Sequence, residues 1–277
     1  PKPSSAASDV YKRQEHTSWI TRAGAIPLLV DLLPSGGDGA RCAAGALANL
    51  ALNSNVAVAI VEAGGIPALV AAMSPDSSRV AKERASAALM NLANIDAYRI
   101  AMLEAGAIPP FVALIRDGND AMRQSAAGAL WNISIRDADV RAACVEAGAH
   151  PPLVALLRDD NAVGYAKCKR KACMALRNML LHSDDVIDSV VALGAIPLLL
   201  ALIGDGSAAQ EQAVGALRNV SMVCQVELVK AGCIPPLLAV LSTGSITSNE
   251  DAVNTIRNNT LKEENRIYKA KAGAIPP

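Results

Sequence analysis

The chain has 277 residues and no formal net charge, and apolar residues make up 52% of it whereas aromatic residues make up only 3%. An interior built from Ala, Leu, Val and Ile suits closely packed helices better than a β-sandwich. A net charge of zero excludes a global electrostatic field that would draw the chain to nucleic acid or to an anionic membrane. The composition therefore favours an all-α protein, and the length leaves open one large domain, two domains or a repeat array.

The first fourteen residues share no pattern with the rest of the chain. The segment SSAASDVYKRQ, residues 4–14, resembles the translation of a sequencing-adapter oligonucleotide. We therefore predict that residues 1–14 are a disordered, non-native leader, and that the folded protein occupies residues 15–277. A disordered native leader is the alternative.

A short phrase, AGAIPP, recurs along the chain at a spacing of 38 to 46 residues. This period lies in the range of solenoids whose repeats contain two or three helices. Each copy or close variant of the phrase contains one glycine, and the seven glycines are Gly24, Gly64, Gly106, Gly148, Gly194, Gly232 and Gly273.

The phrase predicts the first two helices of each repeat. Segments such as Asp96–Ala105 and Asp139–Ala147 start with aspartate, a helix-opening residue, and stop at the repeat glycine, which suits a left-handed turn. A proline follows shortly after the glycine, as at Pro27, Pro67 and Pro109. Because proline is tolerated in the first turn of a helix, a second helix is predicted to begin there.

A second phrase, AAGALANL in its first copy, predicts a long third helix. Its apolar positions, such as Ala43, Ala46, Leu47 and Leu50, recur at helical spacing and indicate one buried stripe. One asparagine interrupts the apolar pattern near the end of each copy, and the six are Asn49, Asn91, Asn132, Asn178, Asn219 and Asn258.

The sixth copy of the third helix is more polar than the others. Thr255 and Asn259 stand where the other copies place Leu or Ala. We therefore expect the chain to fray from about residue 242 onward.

The two phrases together resemble the armadillo repeat family, from about residue 18 to residue 277. The resemblance implies an armadillo-type right-handed α-solenoid of about six three-helix repeats plus the start of a seventh. Both ends of the sequence are therefore expected to be truncated. A HEAT array of similar period is the alternative fold, but it lacks the glycine turn and the recurring asparagine.

Within this family, nuclear-import adaptors carry a tryptophan four residues before the asparagine. Here that position holds Gly, Ala, Gly, Met, Gly and Asn. The resemblance is therefore closer to the catenin and plakophilin group and to vacuolar armadillo proteins.

The resemblance assigns the six asparagines to a concave groove, where they hold the backbone of an extended partner chain. The alternative is that some of them only tie neighbouring repeats together. Side chains near the asparagines should select the partner, and a basic groove suits an acidic or phosphorylated segment. These flanking candidates are Arg84, Trp131, Arg136, Lys171, Arg177, His182 and Arg218.

Two further features of the third helices admit two interpretations each. Gly45, Gly128 and Gly215 indicate either tight packing between repeats or room for a ligand backbone. The basic run from Lys167 to Lys171 is either a solvated helix start or an anion site. Aromatic residues other than Tyr165 do not interleave with this charge, which argues against nucleic acid.

The sequence lacks the parts of an enzyme. Its histidines, His16, His150 and His182, lie in separate contexts without a ligand or catalytic partner at a suitable spacing. The six cysteines lack paired short spacings and are interpreted as small buried hydrophobes in a reducing compartment. We therefore predict no catalytic residue, no metal, no cofactor and no small-molecule substrate.

The most apolar stretch, residues 186–204, is interrupted by Asp188, Gly194 and Pro197. It is predicted to be two buried helices joined at the glycine rather than a transmembrane segment.

The sequence thus predicts a protein-binding scaffold or adaptor of the cytoplasm or nucleus. One alternative is the substrate-targeting arm of a larger enzyme, such as a ubiquitin ligase. Another is a structural cytoskeletal or axonemal protein that acts through its convex face. Fold alone does not separate these functions.

Overall fold

The computed structural model describes residues 19–158, 165–204 and 209–260. The predicted leader and the last repeat glycine, Gly273, lie outside these residues. All regular structure within them is helical, and the chain divides into two compact units, the first ending at Ile133 and the second beginning at Ser134.

The first unit contains three repeats, preceded by a short helical segment at residues 19–22. A 3₁₀ turn, Leu33–Ser35, joins the helices of the first repeat, and another, Asp96–Tyr98, opens the third. The helices are α1 (Ala25–Leu32) and α2 (Gly37–Leu50); α3 (Ser54–Glu62), α4 (Gly65–Ala71) and α5 (Arg79–Leu92); and α6 (Arg99–Glu104), α7 (Ile108–Asp117) and α8 (Asp120–Ile133).

The second unit also contains three repeats, each with a first, a second and a third helix. The predicted division into three helices per repeat is confirmed. The helices are α9 (Ala138–Glu146), α10 (His150–Arg158) and α11 (Tyr165–Met179); α12 (Asp184–Ala192), α13 (Ala195–Gly204) and α14 (Gln210–Val220); and α15 (Gln225–Lys230), α16 (Ile234–Thr243) and α17 (Ile246–Thr260).

The repeat glycine ends each first helix in a left-handed conformation, as predicted. The φ angles of the six described copies lie between 69° and 79°, a region that is open to glycine and strained for other residues. Pro27, Pro67 and Pro109 then lie in the first turns of α1, α4 and α7. The glycine turn therefore sets the angle at which the second helix leaves the first.

This turn explains the apolar stretch at residues 186–204. The stretch forms most of α12 and α13, which are bent by 79° at Gly194. Within the described residues no single helix has the length and apolar composition to cross a membrane, although three bent pairs of first and second helices would meet those criteria jointly.

The third helices form the core of each unit. In the first unit α5 packs between α2 and α8, and in the second α14 packs between α11 and α17. Of the predicted stripe on α2, Ala43, Leu47 and Leu50 are buried, whereas Ala46 is only half-buried. Burying one leucine side chain contributes about 1.5–3 kcal/mol.

Two first helices begin differently from the prediction. The N-cap of α9 is Asp137, whose carboxylate accepts hydrogen bonds from the N–H groups of Asp139 and Val140. Asp139 therefore lies within the first turn. Asp96 opens a 3₁₀ turn and does not cap α6, and its carboxylate pairs with Arg99 at 2.5 Å.

The six cysteines are free thiols, and five of them are buried as predicted. Cys42 is exposed, so the prediction is wrong for that residue. Burial raises the pKa of the Cys144 thiol to about 12. This thiol is therefore protonated and unreactive at neutral pH.

The last described helix, α17, buries polar side chains in its core face. Thr255 is fully buried, and its hydroxyl donates to the Asp251 carbonyl oxygen at 2.7 Å. Asn259 is also fully buried, and among the described residues its Oδ1 atom has no hydrogen-bond partner. An unsatisfied buried acceptor costs about 1–3 kcal/mol. The helix is nevertheless regular to Thr260, whereas the sequence led us to expect fraying from about residue 242.

His150, at the start of α10, stands where the other copies of the turn carry isoleucine. Its Nε2 atom lies 3.0 Å from the Ser189 hydroxyl on α12, while its Nδ1 atom is buried without a partner among the described residues. Burial lowers the pKa of the His150 imidazole. The neutral ring is therefore the form that fits the fold.

We expect His150 to make the second unit sensitive to acid. Because its pKa is lower in the folded chain than in the unfolded one, its contribution to stability is complete above the unfolded pKa of about 6.5. That contribution is lost as the pH falls from there through the folded pKa. Thermal unfolding between about pH 5 and pH 7.5 should show a steeper loss for the parent than for His150→Ile. Parallel curves for the two proteins would contradict this assignment.

Candidate functional site

In each third helix the asparagine is one of the last three residues. Residues three, four and seven positions away share the same side of the helix. In each unit, we call the surface formed by its asparagines, these neighbours and the residue just before each asparagine the third-helix face of that unit. In the first unit it is formed by α2, α5 and α8, and in the second unit by α11, α14 and α17.

In the first unit the asparagines link one repeat to the one before it. Asn91 donates from Nδ2 to the Ala48 carbonyl oxygen at 2.9 Å. Asn132 donates to the Met90 carbonyl oxygen at 3.3 Å and to Asn94 Oδ1 at 2.9 Å. Ala48 and Met90 belong to the last turns of α2 and α5, where carbonyl groups have no partner within the helix. Asn91 and Asn132 therefore each cap the third helix of the preceding repeat.

In the second unit one asparagine forms the same bond, and two donate to serine hydroxyl groups. Asn219 donates to the Arg177 carbonyl oxygen, in the last turn of α11, at 2.8 Å. Asn178 and Asn258 donate to the hydroxyl groups of Ser134 and Ser221 at 3.1 and 3.0 Å. The sequence left open whether the asparagines bind a ligand or tie neighbouring repeats together. The amide NH₂ groups of these three side chains serve the second role.

These hydrogen bonds leave part of the amide unused. An asparagine side chain offers two N–H donors and one carbonyl acceptor. Asn91 and Asn219 each commit one N–H, and no described residue donates to their Oδ1 atoms. Asn49 is exposed, and within the described chain its side chain forms no hydrogen bond. Contact of these asparagines with a ligand stays a prediction.

The structure does not bring all the flanking candidates into one cluster. Lys171 is half-buried, and burial and the nearby Arg170 charge lower the pKa of its amine. His182 has a φ angle of 59°, which is unusual for a residue with a side chain. Of the predicted flanking residues, Arg84, Arg136 and His182 are exposed, and Trp131, Lys171, Arg177 and Arg218 are half-buried.

Two of the predicted arginines meet at a carboxylate that sequence reasoning did not assign to them. Asp251 of α17 pairs with Arg177 Nη2 at 3.0 Å and with Arg218 Nε at 3.6 Å. The Asp251 side chain is 7% exposed, so the two guanidinium groups cover it. Two cations and one anion leave a single positive charge in this cluster.

Two glycines of the third helices accommodate arginine side chains from neighbouring repeats. A β-carbon added to Gly45 would lie 3.5 Å from Nη1 and 3.7 Å from Cδ of Arg84, which is ordinary contact. A β-carbon added to Gly215 would lie 2.5 Å from Cζ and Nε of Arg177, which is too close. These glycines therefore make room for an arginine of this chain, which neither sequence interpretation had considered.

Comparison with known proteins agrees with this architecture. A sequence profile of the Armadillo/beta-catenin-like repeat matches residues 96–135 and 224–258. A comparison with curated protein sequences gave no match.

Solved structures similar to the chain include an engineered protein, with 27% identity, a TM-score of 0.75, and coverage of 85% of this chain and 96% of that one. A designed armadillo repeat protein has 26% identity and a TM-score of 0.75, with coverage of 84% and 99%. Another, in complex with the peptide (KR)4, has 26% identity, a TM-score of 0.71, and the same coverage.

The stacked helices and the repeated asparagine define the fold as an α-solenoid. The profile matches two of its repeats and the designed armadillo structures share its fold, so the solenoid is of the armadillo type. The predicted fold class is confirmed.

Removing an asparagine that caps a helix should destabilise the chain. In Asn219→Ala the Arg177 carbonyl oxygen loses its donor, which should lower the free energy of unfolding by about 1–2 kcal/mol. Asn49→Ala removes a side chain with no such bond and should stay within about 0.5 kcal/mol of the parent. Urea denaturation followed by circular dichroism measures both, and equal losses would contradict the capping role.

The two glycines should respond differently to the same substitution. Gly45→Ala should raise the free energy of unfolding by up to about 1 kcal/mol, because alanine is the better helix former and the site has room. Gly215→Ala should gain less or destabilise the chain, because Arg177 must move away from Asp251. Thermal midpoints of the two variants give the comparison. A gain for Gly215→Ala as large as that for Gly45→Ala would show that the Arg177 position contributes nothing.

Proposed function

We propose that this chain is a scaffold or adaptor that binds an extended segment of a partner protein along the third-helix face. The observation that carries the proposal is the fixed orientation of the asparagine amides. Asn91 and Asn219 are held by one N–H at 2.9 and 2.8 Å, and their carbonyl oxygens remain as acceptors. Such preorganised groups lose little conformational entropy when a ligand binds.

The spacing of the repeats suits an extended ligand. Packed helices lie about 8–10 Å apart, and an extended chain rises about 3.3 Å per residue. One asparagine per repeat thus corresponds to two or three ligand residues. A ligand backbone N–H can donate to Oδ1 regardless of the ligand side chains, so affinity and specificity have separate origins.

The charge of the face supports an acidic or phosphorylated ligand. Helix α11 carries five basic residues and no acidic residue, and two of the five, Lys171 and Arg177, belong to the third-helix face. The designed armadillo protein in the comparison is in complex with the basic peptide (KR)4. For this chain, with Arg84 exposed on α5 and α11 basic, we propose the opposite preference.

Within the armadillo repeats, we propose a place near the catenin and plakophilin group rather than with import adaptors. The position four residues before each asparagine lacks tryptophan throughout the chain. Gly45 and Gly215, at two of these positions, lie against Arg84 and Arg177. A cationic side chain there would repel the basic segment that an import adaptor holds.

Binding of synthetic peptides tests this function. We choose the peptide (ET)8, because threonine favours an extended chain and its length exceeds the roughly six to nine residues that the three repeats of one unit require. Fluorescence anisotropy should show stronger binding of (ET)8 than of (QT)8, and weaker binding still of (KT)8. N-methylation of alternate residues of (ET)8 should weaken binding about tenfold or more, because it removes backbone donors.

The matched protein variant is Asn49→Ala, which leaves the inter-repeat hydrogen bonds intact. It should weaken (ET)8 binding without changing the thermal midpoint. If the N-methylated peptide binds as well as (ET)8, or if none of the peptides binds, the third-helix face is not a peptide site.

A further inference from the structure

The arginines of the third-helix face differ in whether the chain itself neutralises them. Arg84 of α5 lies against Gly45 of α2, with Cδ and Cγ 3.7 and 3.9 Å from the position of an added β-carbon. The missing glycine side chain lets this aliphatic stem rest on the α2 backbone. The guanidinium group is thereby held over the face, beside the third helix of the preceding repeat.

No carboxylate pairs with Arg84 in the part of the chain that the structure describes. The adjacent acid on α5, Glu83, instead accepts a hydrogen bond from Asn119 Nδ2 at 2.8 Å. Asp38 of α2 is paired with Arg41 at 3.1 Å. Within the described residues, therefore, neither Glu83 nor Asp38 forms an ion pair with the exposed Arg84.

The arginine pair of the second unit is in the opposite situation. Arg177 and Arg218 share Asp251, whose carboxylate lies 3.0 and 3.6 Å from their nitrogen atoms. An incoming anion would have to compete with a carboxylate that is already desolvated and covered. Arg177 is also confined, because its guanidinium lies directly on Gly215.

We infer that Arg84 is the residue of the first unit that selects an anionic ligand side chain. We also infer that Asp251 neutralises Arg177 and Arg218, so that this pair does not bind an anionic ligand, an effect we call silencing. This inference rests on the proposed function and names which cations of the face carry its charge preference. The ligand group is a carboxylate or a phosphate, since both accept from a guanidinium in a bidentate manner.

The test compares Arg84→Gln with Arg218→Gln, each of which removes one positive charge from the third-helix face of its own unit. The probes are (ET)8, (QT)8 and (QT)8 phosphorylated on its threonines, measured by anisotropy at low and high salt. Arg84→Gln should weaken binding of an anionic peptide about three- to fivefold at low salt and leave (QT)8 binding unchanged. Arg218→Gln should change neither by more than about twofold. Whether (ET)8 or phosphorylated (QT)8 loses more identifies the anion as carboxylate or phosphate.

A third variant, Asp251→Asn, tests the silencing directly. It should strengthen binding of the anionic peptides and leave (QT)8 binding unchanged, because it frees two guanidinium groups. Circular dichroism and thermal midpoints show whether each variant is folded. Because Arg84 is exposed and unpaired within the described chain, Arg84→Gln should match the parent in stability.

The outcomes distinguish failure of this inference from failure of the proposed function. If (ET)8 binds through its backbone, as N-methylation reports, but Arg84→Gln weakens it no more than Arg218→Gln, the inference is wrong and the proposed function stands. If Asp251→Asn is folded and does not strengthen anion binding, the silencing is wrong. If N-methylation has no effect, the proposed function fails, and the inference fails with it.

Discussion

The hydrogen bonds from Asn91, Asn132 and Asn219 to the ends of preceding third helices are the interactions on which the rest of this structure depends. A helix ends with four carbonyl groups that lack intrahelical partners, and these ends must be satisfied where repeats stack. Asn91, Asn132 and Asn219 supply donors to such carbonyls at 2.9, 3.3 and 2.8 Å. The same bonds orient these amides, so one interaction both joins neighbouring repeats and holds the polar groups that we propose as ligand contacts.

The sequence predicts those parts of the fold that depend on local geometry. The glycine turn could be recognised because only glycine tolerates the left-handed conformation without strain, and all six described copies adopt it. The third helices and their asparagines could be recognised because a helical period has to place one face inward. The N-cap of α9 could not be predicted, because Asp137 and Asp139 are both of a residue type that caps helices. Only the backbone conformation distinguishes them.

The partners of long side chains could not be predicted, because they depend on stacking between repeats. Asp251 lies seven residues before Asn258, so its place on the face follows from periodicity, but its pairing with Arg177 spans 74 residues. Helical spacing likewise gives no reason for an arginine to lie on Gly215. Charge counted along a sequence therefore overstates the charge that a surface offers, because some cations are neutralised by acids from another repeat.

The capping bonds also give the array a direction. Within each unit, the donor always belongs to the later repeat and the acceptor to the earlier one. If the last repeat of a unit unfolds first, the third helix of the repeat before it stays folded but loses the hydrogen-bond donor at its C-terminal end. If the first repeat unfolds first, the asparagine amide of the next repeat loses its acceptor, and this side chain can form a hydrogen bond with water instead. Within a unit, loss of the last repeat and loss of the first repeat therefore leave different polar groups without a partner.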